Sequence, residues 1–343
     1  MWRGSSGGCW KRLRNPGQLE RVMAAPPPAS SQSIMSKAGF VDAKALMAIQ
    51  NLELRARVVV EGFWNGLHRS PYHGFSVEFT EYRPYSPGED TRYLDWRLLA
   101  RSDRFYVKKF EDETNLRCHL LIDQSRSMSY RSLAYSKSDY ARTFGATLAW
   151  FLHAQGDAVG LFTFDEQVRA YLPPRHRKGH LRRIMLALEG EPAGSRTDLA
   201  APLERVAEMA RKRGLIVLLS DLLAPATALE RPLARLAAAG HEVVVFQVLD
   251  PRELDFRFDR AMLFRDLESQ KDYYIDPEAV RGEYERKLQS HRQAVEGVCR
   301  NLGFAFYRVA TDRPMELALL DFLRARSRRG RLVRRRSQRA IGP

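Results

Sequence analysis

The sequence predicts an α/β fold, a doubly wound and mostly parallel sheet over about residues 115–325. Two observations carry this. Residues 120–122, 215–219 and 243–249 are apolar almost without interruption, as strands buried on both faces are. Stretches of helical periodicity lie between them, and strands alternating with helices build a parallel sheet covered on both sides.

The elements follow in order. Residues 42–64 carry Leu46, Ile49, Leu52, Val59 and Phe63 at roughly helical spacing, which predicts one amphipathic helix. Residues 66–74 read as a loop, and 77–97 as short strands around the Pro87-Gly88 turn. A further strand is expected at 104–110. The buried strand ending at Asp123 is followed by a helix over 138–154, with Ser138 or Asp139 near its N-cap. Strands are then expected at 158–164 and at 167–172, the second ending at Pro173-Pro174. Helices follow at 181–188 and at 197–213, the latter closed by Gly214. Strand 215–221, helix 226–239 stopped by Gly240, and strand 243–249 come next. A long helix at 278–302, a strand at 304–309 and a helix at 315–324 complete the series.

This divides the chain into four parts. Residues 1–40 are a Gly-, Ser- and Pro-rich extension of disordered composition, in which Met23 or Met35 is a candidate start. Residues 41–114 form a helix and short-strand segment, 115–325 the α/β domain, and 326–343 an Arg-rich disordered tail.

The net charge of +15 suggests nucleic-acid chemistry until it is located. Of it, +9 lies from Arg324 onward and +4 within the first 22 residues, which leaves +2 for the body. The fold itself is thus nearly neutral. The tail is a candidate ligand for phosphates, but no aromatic residue interleaves with its arginines to stack on bases. Cys9, Cys118 and Cys299 are isolated, so neither a disulfide framework nor a zinc site is expected, and a reducing compartment fits. No apolar run approaches a membrane span and no secretory signal is apparent, so the expected location is the cytoplasm. His119, in the buried strand, is expected to be a satisfied core histidine.

The chemistry concentrates where the first buried strand ends. Asp123-x-Ser125-x-Ser127 offers one carboxylate and two hydroxyls, hard oxygen donors that suit Mg²⁺ or Mn²⁺ and disfavour zinc. Ligands of a doubly wound sheet sit outside the carboxyl ends of its strands. Asp221 leaves a second strand at that rim, and Thr197-Asp198 opens a helix facing it. Asp123, Ser125, Ser127, Thr197 and Asp221 are therefore expected at one place. Because hydroxyls dominate, a bound divalent cation keeps positive charge and an open position that a partner's carboxylate would fill.

This pattern resembles the metal-ion-dependent adhesion site of von Willebrand factor A-type domains, with all five members present. Upstream, Glu78-Phe79, Tyr82-Arg83, Tyr85, Pro87-Gly88-Glu89-Asp90, Arg92 and Asp95-Trp96 resemble the signature of the "domain of unknown function 58" family, as does Asp250-Pro251-Arg252-Glu253-Leu254. The resemblance covers about residues 45–325. It implies a von Willebrand factor A-like domain and a metal-dependent role in protein assembly or maturation beside a MoxR-type AAA+ ATPase. Many relatives carry N-terminal membrane spans, and this chain is similar to the shorter form without them. Within the upstream signature, Arg83, Asp90, Arg92, Asp95 and Trp96 are candidate partner-binding residues. The same box also reads as a salt-bridged strand pair packing Tyr82, Tyr85 and Trp96 on the α/β domain.

Two other function classes deserve comparison. A Mg²⁺-dependent phosphoryl hydrolase would use Asp123 as nucleophile and needs a second carboxylate two residues later, where Ser125 stands. No predicted strand ends in a G-x-S-x-G elbow, and the chain has no P-loop or H-E-x-x-H. The expectation is a protein-binding module without enzymatic activity. Nucleic-acid binding through the Arg-rich tail is the third reading.

Overall fold

The computed structural model describes residues 40–69, 82–84, 106–108, 116–190, 199–265, 271–324 and 326. The expectations for 1–39, for the rest of the upstream signature and for the tail from 327 lie outside these residues, as do Thr197 and Asp198.

A six-stranded sheet forms the centre, in the order β10-β7-β6-β3-β4-β5. Its strands are β3 (Arg117–Asp123), β4 (Ala158–Phe164), β5 (Val168–Arg175), β6 (Leu215–Ser220), β7 (Glu242–Leu249) and β10 (Ala305–Ala310). All neighbours pair in parallel except β4 and β5. Pairing also joins β1 (Tyr82–Pro84) to β2 (Tyr106–Lys108), and β8 (Met262–Arg265) to β9 (Asp272–Ile275), as two antiparallel ribbons. The expected doubly wound, mostly parallel α/β sheet is present.

Alternation along the central strands fills both faces. Cys118, Leu120 and Ile122 of β3 join one apolar cluster with Leu215, Val217 and Leu219 of β6. Leu121 joins the other, with Ile216 and Leu218. Fully burying such a side chain contributes roughly 1.5–3 kcal/mol, so β3 and β6 are firmly anchored strands from which to hold a site. The first cluster is covered by α1 (Ala43–Ala48), α2 (Leu52–Arg69), α3 (Lys137–Ala154), α4 (His180–Leu188) and the helical residues 315–324. The second is covered by α5 (Ala200–Met209), α6 (Ala226–Ala238) and α8 (Pro277–Asn301). Val41, Leu46, Val59 and Phe63 share the first cluster with Phe151 and Phe322, so the N-terminal helices pack into the core of the sheet domain.

Several boundaries differ from expectation for identifiable reasons. The single helix over 42–64 is two, because Ile49 is extended and the Asn51 side chain accepts the Leu54 N–H to start the second. Ser136, rather than Ser138 or Asp139, caps α3. Its hydroxyl accepts the Asp139 N–H at 3.1 Å and the Asp139 carboxylate accepts the Ser136 N–H at 2.9 Å, a reciprocal capping box. Strand β5 runs through Pro173-Pro174 to Arg175, which an edge position tolerates.

Helix α5 ends at Met209 with Ala210 as its C-cap, so Gly214 does not close it. A Cβ on Gly214 would stand 2.4 Å from the Arg117 carbonyl oxygen. This glycine lets the start of β6 pass close to β3. The segment after Asp250, read as part of a signature, folds as the short helix α7 (Pro251–Asp255). The hairpin β8–β9 had no counterpart among the expected elements.

Candidate metal centre

Asp123 is the last residue of β3, at the carboxyl edge of the sheet, and is fully buried. Its position is doubly determined: Oδ1 accepts the Ser125 N–H at 2.8 Å, and Oδ2 accepts the Ser220 hydroxyl at 2.5 Å. A 3-10 turn over Arg126–Ser129 follows, with the Met128 N–H donating to the Ser125 carbonyl at 3.0 Å. This turn folds the loop back and brings Ser125 Oγ within 3.0 Å of Ser127 Oγ.

Asp221 follows β6 and is also fully buried. Its carbonyl accepts from Gln247 Nε2 at 3.0 Å, and the next residue, Leu222, adopts φ 55°, a left-handed conformation rare for a branched side chain. Two contacts hold that turn. Ser220 Oγ accepts the Leu222 N–H at 3.0 Å, and the Leu222 carbonyl stands 2.7 Å from His291 Nε2 of α8. Strain of this kind persists only where surrounding bonds over-determine it, and it commonly marks functional loops.

The residue that sequence reasoning missed is Lys137, the first residue of α3. Its side chain is fully buried, and its ammonium donates to Asp221 Oδ2 at 2.9 Å and to Glu253 Oε1 at 2.6 Å. The Tyr130 ring lies beneath it, 5.9 Å from Nζ to centroid. Glu253 is itself fixed, because its Oε2 accepts the Asp250 N–H at 2.8 Å in the capping box of α7. Asp250 accepts in turn from the Ser132 N–H at 2.9 Å, and from the Ser132 hydroxyl. The Asp250-Pro251-Arg252-Glu253 stretch thus ties the loop after β7 to the loop after β3 and hands a carboxylate to Lys137. Its N-cap-to-N3 acid spacing was a visible capping signal. A lone lysine at a helix start offered none.

The electrostatics follow from burial. Asp123 is pushed up to about 7, first by desolvation and then by the Asp221 charge, against which the Ser220 and Ser125 hydrogen bonds work. Lys137 would be lowered by its burial, but Asp221 and Glu253 outweigh that and raise it, favouring the ammonium form.

The donor set fits a hard divalent ion. Oxygens adjacent in an octahedron at about 2.1 Å from Mg²⁺ stand about 3 Å apart. The two serine hydroxyls already show that separation, 3.0 Å. A buried carboxylate with a raised affinity for protons is likewise suited to a cation. Among the described residues no group of three or more His, Cys, Asp or Glu side chains is arranged to hold a metal, so the centre would depend on hydroxyls. Of the five expected members, the structure brings Asp123, Ser125 and Ser127 together in one loop and sets Asp221 close enough for its charge to act on Asp123. Thr197 lies outside the described residues, as do Asp90, Arg92, Asp95 and Trp96. Arg83 lies in β1, with only its backbone described. His119 is buried as expected, but among the described residues its Nδ1 has no hydrogen-bond partner, which corrects its reading as a satisfied core histidine.

Residues 81–294 match the family described as "Protein of unknown function DUF58". The uncharacterized protein Rv1480 of Mycobacterium tuberculosis is 30% identical over 304 residues, covering 87% of this chain and 95% of that protein. Among solved structures, the conserved hypothetical protein BatB from Bacteroides thetaiotaomicron aligns with a TM-score of 0.41 at 13% identity, over 62% of this chain and 99% of that one. The SpRpn10 VWA domain aligns with a TM-score of 0.35 at 9% identity, over 59% and 92%.

Proposed function

The chain belongs to the DUF58 family, and on the centre just described we propose that it is a metal-dependent protein-binding module. The observation that carries this reading is the buried Asp123 whose loop presents two hydroxyls 3.0 Å apart at the sheet edge. Asp123, Ser125 and Ser127, with Thr197 and Asp221, would hold Mg²⁺ or Mn²⁺ directly or through water. A bound ion would supply Lewis-acid attraction for a carboxylate, which an Asp or Glu of a protein partner would offer. Ser125 stands where a phosphoryl hydrolase needs an acid–base carboxylate, which supports binding without catalysis.

The partner class we propose is a MoxR-type AAA+ ATPase or its client, in protein assembly or maturation. Among the described residues no helix is long and apolar enough to cross a membrane. With isolated cysteines, two of them buried and free, this supports a cytoplasmic site of action. Affinity capture on the immobilised chain in Mg²⁺, followed by elution with EDTA, tests the reading. Acidic-surfaced protein released by the chelator supports it, and capture indifferent to the chelator defeats it.

A further inference from the structure

A lysine with no exposed side-chain surface, placed between two carboxylates at the rim of a cation site, calls for a reason beyond stability. Desolvating an ion pair costs about as much as its attraction returns, and apolar residues of similar volume commonly serve a core as well or better. Here the acids around the ammonium are themselves held in place. Asp221 is anchored by Gln247, Glu253 by the Asp250 N–H, and Asp250 by Ser132.

We propose that Lys137 is a built-in cation that neutralises Asp221, lowering the affinity of the centre for divalent metal and keeping the loaded centre attractive to a partner's carboxylate. The inference rests on the metal-binding reading above. Asp221 Oδ2 is engaged by Nζ at 2.9 Å, so among the described residues an arriving ion meets one carboxylate not paired with a cation, Asp123, together with two uncharged hydroxyls. Two positive charges against one negative leave the ion able to attract an acidic ligand. Without Lys137, Asp221 would add its full charge, grip the metal more strongly and cancel that attraction. Lys137 thereby sets both how tightly the metal is held and which sign of ligand follows it. A lysine that merely pinned the loops after β6 and β7 together would act in the opposite direction, since its loss would loosen the centre and weaken metal binding.

The test uses the full chain and Mn²⁺ alone, following the free hexaaqua ion by electron paramagnetic resonance. Lys137→Met and the paired Lys137→Met/Glu253→Gln, which removes one charge of each sign, are compared with the natural sequence, each checked for a cooperative melt. Mn²⁺ binding at least tenfold tighter in a folded variant is expected. Equal or weaker binding overturns the proposal, and so does failure of both variants to fold, which would make the lysine purely structural. Tighter Mn²⁺ binding in Lys137→Met alongside capture that ignores chelator would defeat the binding-module reading and leave standing the role of Lys137 in weakening metal binding. Chelator-sensitive capture with unchanged Mn²⁺ affinity would do the reverse.

Discussion

The Ser220 hydroxyl donates to Asp123 Oδ2 at 2.5 Å, joining the ends of two adjacent parallel strands across 97 residues of sequence. The same oxygen accepts the Leu222 N–H, so one serine both orients the candidate metal anchor and supports the strained turn carrying Asp221.

Ser220→Ala therefore leaves a buried carboxylate oxygen without its donor. The expected loss is about 1–3 kcal/mol of folding stability, the cost of an unsatisfied buried polar group. Urea unfolding measures it, and a midpoint equal to that of the natural sequence would show that the bond contributes nothing.

Two glycines separate close approach from mere helix weakness. At Gly214 a Cβ would meet the Arg117 carbonyl oxygen at 2.4 Å, backbone that cannot swing aside, whereas at Gly282 in α8 it meets nothing within 4 Å. Gly214→Ala should destabilise by about 1–3 kcal/mol, as overpacking does. Gly282→Ala should stabilise by about 0.5–1 kcal/mol, the helix-interior difference between the two residues. Thermal melts of the two variants should move in opposite directions.

His119 gives a prediction for acid. Burial, then the charges of His241 and Arg117, lower it to about 4 from the ordinary 6.5. The folded protein thus keeps the ring neutral while the unfolded chain takes up a proton. Above pH 6.5 there is no penalty. Between 6.5 and 4 stability falls as pH falls, by about 1.4 kcal/mol per unit and about 3 kcal/mol in total. His119→Leu should flatten that part of the profile, read as the urea midpoint against pH. An unchanged slope would assign the acid sensitivity elsewhere.

The sheet was legible because its determinants are local. Runs such as Leu215-Ile216-Val217-Leu218-Leu219 can hardly be satisfied except as strands covered on both faces, and Gly240, at φ 77°, ends α6 where punctuation placed it. Asp123, Ser125 and Ser127 were legible as a site because three donors share one loop. What stayed hidden depends on contacts remote in sequence. Lys137 meets Asp221 across 84 residues and Glu253 across 116, and a lysine's sequence neighbours carry no mark of burial. Ser220 looked like the polar end of a strand until β6 was paired with β3. Ser136 was passed over as a cap because two adjacent residues, Ser138 and Asp139, have equal intrinsic capping ability, and only backbone geometry chooses among them.

The central claim is that metal at the Asp123 loop couples this protein to its partner, and Ser125→Ala tests it most directly. Ser125 Oγ is buried and bonded within its own loop to Ser127, so its loss should leave far-UV circular dichroism and the cooperative melt in place. Capture from lysate in Mg²⁺ should then fall at least tenfold in Ser125→Ala, to the level the natural sequence shows in EDTA. Equal capture by the variant and by the chelated natural protein, both matching the Mg²⁺-loaded natural protein, would contradict the account.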